Sequence, residues 1–130
     1  MIAIALLLQA AVPAAAGPAM PPTDWSTLPD LPVAPPRGAS DPSGYVRREV
    51  AAGRCRAAPI GGGSRVAASV AVLVDARGSV QRIVPQAIGC PTVEQFTAGY
   101  VSTLARRAVI AGQTFRPGWY RHVVTYRWAG

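Results

Sequence analysis

An alternating pattern of apolar and polar residues predicts a β-strand over residues 65–75. Period-two alternation is typical of a strand that buries one face, because successive side chains point to opposite sides. The polar face carries Arg65, Ser69 and Asp75. The apolar face carries Val66, Ala68, Val70, Val72 and Val74. It is the most apolar of the strands that the sequence predicts, so we expect it at the centre of a sheet.

A tight turn and a second, weaker strand follow. Residues 75–78 read D-A-R-G, with Asp at the first position of the turn and Gly where the backbone needs a positive φ. Residues 79–86 return as the second strand. Pro85 lacks the N–H that a central strand donates, so this strand is predicted to lie at an edge of the sheet.

Three- and four-residue spacing of apolar side chains predicts two helices. The first is short and covers residues 45–53. The second begins at Thr92, which forms a capping box with Gln95, and it ends at Gly112. Gly99 in the middle of this helix costs stability relative to alanine, and we interpret it as a close approach of the helix to the sheet.

A third alternating segment, residues 119–128, predicts the last strand. One face carries Tyr120, His122, Val124, Tyr126 and Trp128. The other face carries Trp119, Arg121, Val123, Thr125 and Arg127. His122 therefore lies among apolar side chains, and we interpret it as a buried, hydrogen-bonded histidine rather than a functional one.

The order helix, strand, strand, helix, strand predicts an α+β fold. When the first strand lies between the other two, every neighbouring pair is antiparallel and the crossover through the helix can stay right-handed. We therefore expect a three-stranded antiparallel sheet of order 2-1-3. The main helix packs on one face of this sheet, and the short helix precedes it (α-β-β-α-β). In this arrangement the last strand has one free edge.

The amino terminus has the pattern of a targeting segment. Residues 2–12 are almost all apolar, and residues 14–16 (A-A-A) follow as a cleavage site before Gly17. The sequence therefore predicts a signal peptide over residues 1–16 and a periplasmic or secreted protein. The alternative is an uncleaved anchor that holds the chain at the inner membrane, facing the periplasm. A membrane span needs about 20 apolar residues, and Pro13 interrupts this run.

A proline-rich segment separates the targeting segment from the folded domain. Residues 17–43 contain eight prolines and show neither a strand period nor a helix period. Such a segment favours extended polyproline II and buries too little surface to fold, so we expect a flexible tether. Trp25 within it is either docked on the domain or a stray apolar group. The domain then covers residues 44–130, with twelve arginines against three acidic residues.

Composition limits the chemistry of the chain. Its 130 residues include no lysine, two cysteines and one histidine, which fall short of a four-ligand zinc site. There is no acid pair at useful spacing, no nucleophile motif and no phosphate loop. We therefore predict no catalytic residues, no metal and no cofactor. In an exported chain Cys55 and Cys90 are expected to form a disulfide, and two unrelated thiols are the alternative.

Three segments resemble the TonB carboxy-terminal domain family. Residues 70–80 (V-A-V-L-V-D-A-R-G-S-V) are similar to the family's first strand and its Asp-x-x-Gly-x-Val hairpin. Residues 88–94 (I-G-C-P-T-V-E) are similar to the segment that opens its helix, and residues 115–117 (F-R-P) to its Phe-x-Pro. The family's Tyr-Pro is Tyr45-Val46 here. The resemblance implies the same α+β fold and binding of an extended peptide of an outer-membrane transporter beside the last strand.

These expectations combine into a non-catalytic interaction module of the periplasm. A peptide of an envelope protein, for instance an outer-membrane receptor, would add a strand to the free edge. The candidate residues at that edge are Trp119, Arg121, Val123, Thr125 and Arg127. Two alternatives stay open: a structural envelope protein that forms a homodimer through the same edge, and a true anchored energy transducer.

The remaining partner classes are not expected. Export argues against nucleic acid as a partner of the arginines. We interpret exposed pairs such as Arg106 and Arg107 as solvated side chains rather than as a patch for nucleic acid or anionic lipid. Membrane contact is expected only if the amino terminus stays uncleaved.

Overall fold

The computed structural model describes residues 20–130 and shows two α-helices, four strands and one 3-10 turn in this range. The elements are the turn Trp25–Thr27, α1 (Ser43–Ala51), β1 (Ala58–Ile60), β2 (Gly63–Val74), β3 (Val80–Pro85), α2 (Pro91–Ile110) and β4 (Gly118–Ala129). The signal peptide predicted for residues 1–16 lies outside the described residues. Within residues 20–130, no helix combines the length and hydropathy that a membrane span needs.

β2 is the central strand of an antiparallel sheet. β4 pairs with it along its whole length, from Gly63 opposite Ala129 to Val74 opposite Gly118. On the other side of β2, β3 pairs with its second half and β1 pairs with its first three residues. The α+β fold is confirmed, and the order β3-β2-β4 is the predicted order 2-1-3. β1 is an additional short strand that the sequence analysis did not predict.

The turn between β2 and β3 has the predicted chemistry. Asp75 Oδ1 accepts hydrogen bonds from the N–H groups of Arg77 at 2.9 Å and Ser79 at 3.0 Å. Gly78 adopts a φ of +78°, and a Cβ at this position would lie 3.4 Å from the carbonyl oxygen of Phe115. The turn therefore lies against the segment that follows α2.

α2 covers one face of the sheet and completes the core. The buried side chains of this interface are Val70, Val72, Val74, Val93, Val101, Leu104, Val124 and Tyr126. Thr97 is the buried polar residue among them. Its Oγ1 donates to the carbonyl oxygen of Val93 and lies 2.7 Å from the hydroxyl of Tyr126. Because the Thr97 proton is used for Val93, the Tyr126 hydroxyl donates to Oγ1.

The start of α2 differs from the prediction. The helix begins at Pro91 with Cys90 as its N-cap, so the capping box on Thr92 is wrong. Proline is favoured in the first helical turn because the N–H that it lacks has no partner there. Glu94 Oε2 accepts a hydrogen bond from the N–H of Cys90 at 3.0 Å. Thr92 donates instead to Glu49 of α1.

Gly99 does not approach the sheet, so that interpretation is also wrong. It is exposed on α2, and a Cβ at this position would meet nothing within 4 Å. We expect Gly99→Ala to raise the free energy of unfolding by about 1 kcal/mol, because alanine is the better helix former. Urea unfolding measures the change, and Ala98→Gly on the neighbouring residue should show the opposite sign. A destabilised Gly99→Ala variant would contradict this account.

Cys55 and Cys90 form the predicted disulfide, with their Cα atoms 5.2 Å apart. Both residues are buried. The bond joins the segment after α1 to the N-terminus of α2, and it closes a loop that contains β1, β2 and β3.

Candidate functional site

Residues 20–42 wrap around the domain, and we call this segment the strap. Its 3-10 turn lies over the sheet face opposite α2, where Trp25, Ser69 and Val123 line a cleft of about 310 Å³. The strap then crosses the edge of β4. On the far side, residues 35–40 line a second cleft together with α2. The strap therefore contacts the sheet face opposite α2, the edge of β4, and α2 on the far side.

The expectation of a flexible tether over residues 17–43 is corrected for the middle of the strap. Leu31 is 1% exposed and Val33 is 9% exposed, and both belong to the hydrophobic core. Leu31 and Val33, on either side of Pro32, are too few to define a strand or helix period in the sequence. They are nevertheless enough to fill the space beside β4, so the segment packs although it forms no regular element of its own.

The strap pairs with β4 as a short parallel strand. The N–H of Leu31 donates to the carbonyl oxygen of Arg121 at 2.8 Å, and the N–H of Arg121 donates to the carbonyl oxygen of Pro29 at 2.9 Å. These two bonds form a parallel bridge between Asp30 and Arg121. The edge of β4 therefore holds an extended segment of the same chain.

Side chains on either side of this bridge hold the strap in place. Arg121 Nε donates to Asp30 Oδ1 at 3.1 Å. His122 Nδ1 lies 3.1 Å from the carbonyl oxygen of Leu31, and because that oxygen only accepts, Nδ1 carries the proton in this contact. Gln113 Nε2 donates to the carbonyl oxygen of Pro32 at 2.6 Å. His122 is thus half-buried and hydrogen-bonded. No pattern in the sequence indicates the contacts that Asp30 and Gln113 make here.

The prediction of a free edge along the last strand is therefore wrong in part. The strap covers the edge at Arg121, and Ser43 Oγ accepts a hydrogen bond from the N–H of Arg127 at 3.2 Å. The main-chain groups of Arg121 and Arg127 point away from β2, so those of Val123 and Thr125 do so as well. Among residues 20–130 these two have no hydrogen-bond partner on that side. The uncovered part of the edge is thus Val123 to Thr125.

The five predicted edge residues lie on the sheet face opposite α2. Burial alternates along the second half of β4. Val124 and Tyr126 are buried, and Val123, Thr125 and Arg127 are exposed. Val123 is 46% exposed, whereas Trp119 is half-buried near the start of the strand. The structure brings together Arg121 and Val123, which line the same cleft as Trp25 of the strap. Arg127 lies near the far end of the strand, where α1 begins.

A buried carboxylate joins α1 to α2 close to this end of β4. Glu49 accepts hydrogen bonds from Arg54 Nε at 2.6 Å and from Thr92 Oγ1 at 2.9 Å. The hydrogen bond from Arg54 is the main cause that lowers the pKa of Glu49, with burial acting in the opposite direction. Arg54 and Thr92 lie outside α1, and the spacing of apolar residues in residues 45–53 gives no sign that they bind Glu49.

We expect the stability of the domain to fall as the pH drops below the ordinary pKa of a glutamate, about 4.5. The folded-state pKa of Glu49 is lowered, so its stabilising effect is complete above that value and is lost as the pH falls through the folded pKa. Glu49→Gln should flatten the acid limb of a plot of unfolding free energy against pH. Asp24 and Asp41, whose pKa values are lowered by hydrogen bonds from Ser26 and Ser43, contribute a slope of the same sign that the variant retains. An unchanged acid limb in Glu49→Gln would contradict this assignment.

No family model, no curated protein and no solved structure matches this chain. The resemblance to the TonB carboxy-terminal domain family therefore rests on the motifs quoted above and stays a prediction. In the described part of the chain, no group of three or more His, Cys, Asp or Glu side chains is placed to hold a metal ion. The expectation that the chain takes neither metal nor cofactor also stays a prediction.

Proposed function

We propose that this protein is a non-catalytic interaction module of the cell envelope that binds an extended peptide of a partner protein along β4, in place of the strap. The observation that carries the proposal is the bridge between residues 29–31 and Arg121. An edge that accepts a segment of its own chain offers main-chain donors and acceptors at the spacing that any extended peptide uses.

A partner peptide gains hydrogen bonds that the strap does not make. If the parallel ladder continued, the N–H of Val33 would donate to the carbonyl oxygen of Val123. It donates instead to the carbonyl oxygen of Leu31, so the strap turns away from β4 after one bridge. The outward main-chain groups of Val123 and Thr125 stay without a partner among residues 20–130. A peptide that stays extended past the position of Leu31 and has an N–H at the position of Pro35 can continue the parallel ladder over both residues, and these added bonds favour it over the strap.

The contacts of the strap also indicate which peptide the site prefers. Arg121 takes a carboxylate at the position of Asp30, and the buried sites of Leu31 and Val33 take aliphatic side chains. The preferred order is therefore acidic, aliphatic, any residue, aliphatic. Arg127 lies exposed farther along the strand and adds positive charge, which attracts an acidic peptide and raises the association rate at low salt.

The sequence supports the cellular setting of the proposal. The amino-terminal pattern is that of an exported protein, and the motifs resemble a family whose members bind extended peptides in the periplasm. A homodimer through the same edge is the other use that an uncovered strand allows, and sedimentation velocity at increasing protein concentration distinguishes it from a monomer that binds a peptide.

The test uses a fluorescein-labelled peptide, S-D-L-T-V-T-V, and fluorescence anisotropy with the full chain. Thr125→Pro removes an N–H that points away from β2, so the ladder to β2 stays intact while the partner loses a main-chain donor. We expect Thr125→Pro to weaken binding at least tenfold and the matched variant Thr125→Val to bind like the unchanged protein. Circular dichroism checks that both variants fold.

Two results would contradict the proposal. One is equal binding of the peptide by Thr125→Pro and Thr125→Val, which would place the peptide elsewhere. The other is the absence of binding both by the unchanged chain and by Leu31→Ala, in which the strap is weakened. Arg121→Glu is a poor variant for this test, because it breaks the contact with Asp30 and so releases the strap as well.

A further inference from the structure

An exposed aliphatic tip marks one end of the domain, at the last turn of α2. Ile110 is 80% exposed and Val109 is 42% exposed. Both line a groove of about 330 Å³ between α2 and the start of β3, together with Val80 and Ala105. Ile110 is the most exposed of the large apolar residues in the described part of the chain. This tip is far from the edge residues Val123 and Thr125 along the sheet and is not used by the proposed peptide site.

Four arginines and one acidic side chain lie at this end of the domain within residues 20–130, and Arg106 lines the groove itself. The four arginines of this end are Arg77, Arg106, Arg107 and Arg116, all of them exposed. The turn that carries Arg77 lies against the segment that carries Arg116, as the contact between Gly78 and Phe115 shows. The acidic residue is Asp75, whose Oδ1 accepts hydrogen bonds from backbone N–H groups of its own turn.

Three of the last four carbonyl oxygens of α2 are hydrogen-bonded within the chain. The carbonyl oxygens of Arg107, Ala108 and Val109 accept hydrogen bonds from the N–H groups of residues 111–113. The end of a helix normally leaves such carbonyls without partners, and an unpaired carbonyl is costly in an apolar layer. Because these three carbonyl oxygens already have partners, Ile110 can enter an apolar layer without the cost of burying them unpaired.

We propose that this end of the domain docks on a membrane surface rich in anionic phospholipid. Ile110 and Val109 enter the boundary between headgroups and acyl chains, and the four arginines contact the phosphates. Charge complementarity identifies this occupant, since four exposed arginines around two aliphatic side chains match the composition of interfacial membrane-binding segments. The proposal goes beyond the peptide site, and it replaces the interpretation of Arg106 and Arg107 as merely solvated.

The test places an environment-sensitive NBD fluorophore on Ile110→Cys in the full chain. The two native cysteines are bonded to each other, so the label reacts at position 110. We expect a blue shift with vesicles of phosphatidylglycerol and no shift with vesicles of phosphatidylcholine. A label at one position reports whether that position enters the lipid, even if the apolar residues 2–12 bind the vesicles by themselves.

Two pairs of arginines provide a matched control. Arg106→Gln with Arg107→Gln should weaken the lipid-dependent shift about 30-fold in lipid concentration, at about fivefold for each arginine near the surface. Arg47→Gln with Arg48→Gln removes the same charge from α1. α1 lies at the opposite end of α2, because Tyr45 stacks on Phe96. This control pair should change the shift by no more than about twofold, since charges beyond a Debye length are screened.

Four results would overturn the proposal. They are the absence of a shift with phosphatidylglycerol, an equal shift with phosphatidylcholine, and an equal loss from the two arginine pairs. The fourth is a shift that appears without vesicles and grows with protein concentration, which would identify the tip as a contact between copies of the chain. None of these results bears on Thr125→Pro, so the two proposals fail independently.

Discussion

Removal of the disulfide is expected to lower the free energy of unfolding by about 3–4 kcal/mol. Cys55 and Cys90 are separated by 35 positions, and a cross-link over a loop of that length restricts the unfolded chain strongly. The loop holds β1, β2 and β3, so the central strand of the sheet lies within it. For a domain of this size the loss corresponds to a decrease of about 15 °C in melting temperature.

The double variant Cys55→Ala with Cys90→Ala measures this effect, since alanine places no hydroxyl group in the two buried positions. Urea unfolding of the variant is compared with that of the unchanged protein with and without reductant. We expect the reduced protein and the double variant to unfold at similar urea concentrations, well below the oxidised protein. An oxidised protein no more stable than the double variant would show that the cross-link does not stabilise the domain.

The sheet and the main helix were predictable because their patterns are local and repeated. In β2, five apolar positions alternate over the nine residues 66–74, and the turn that contains Asp75 and Gly78 follows directly. The order of the strands followed from antiparallel pairing and the handedness of the crossover, without any knowledge of contacts. The disulfide followed from the number of cysteines and the expected compartment of the protein.

The ends of the elements were less predictable, because they depend on competition between neighbouring residues. Thr92 and Gln95 have the spacing of a capping box, yet Pro91 shifts the start of the helix by its fixed φ. β1 contains Pro59 and leads into glycines 61–63, which by composition indicate a loop. It is a strand because it pairs with the first residues of β2, and such a tertiary contact has no signal in three residues.

The side chains of the candidate site were predictable from the sequence, but the strap that covers the edge of β4 was not. The alternation over residues 119–128 assigned Arg121 and Thr125 to the correct face of β4. That the strap covers the edge depends on Leu31 and Val33, which lie between prolines and are too few to form a period. A proline-rich segment with two aliphatic residues has the composition of a tether, and only the space beside β4 makes it part of the core.

Leu31→Ala and Leu104→Ala remove the same atoms from two segments that are held differently, and we expect unequal losses of stability. Both leucines are buried. Leu104 lies in α2, which cannot leave the core without global unfolding, so its loss should be about 2–5 kcal/mol. Leu31 lies in the strap. Once the strap has opened, further weakening of its contacts no longer lowers the free energy of unfolding of the domain. We therefore expect a loss of about 1–2 kcal/mol, limited by the free energy of strap docking.

Hydrogen exchange separates local opening of the strap from global unfolding. The N–H of Arg121 donates to the strap, whereas the N–H of Tyr120 points toward β2, so Leu31→Ala should speed exchange at Arg121 far more than at Tyr120. The same variant should bind the test peptide more tightly than the unchanged chain, because the competing segment is weakened. Equal losses for Leu31→Ala and Leu104→Ala, with uniform exchange, would mean that the strap opens only when the whole domain unfolds. A partner peptide would then have no access to the edge at Arg121, and the proposed function would be wrong at this site.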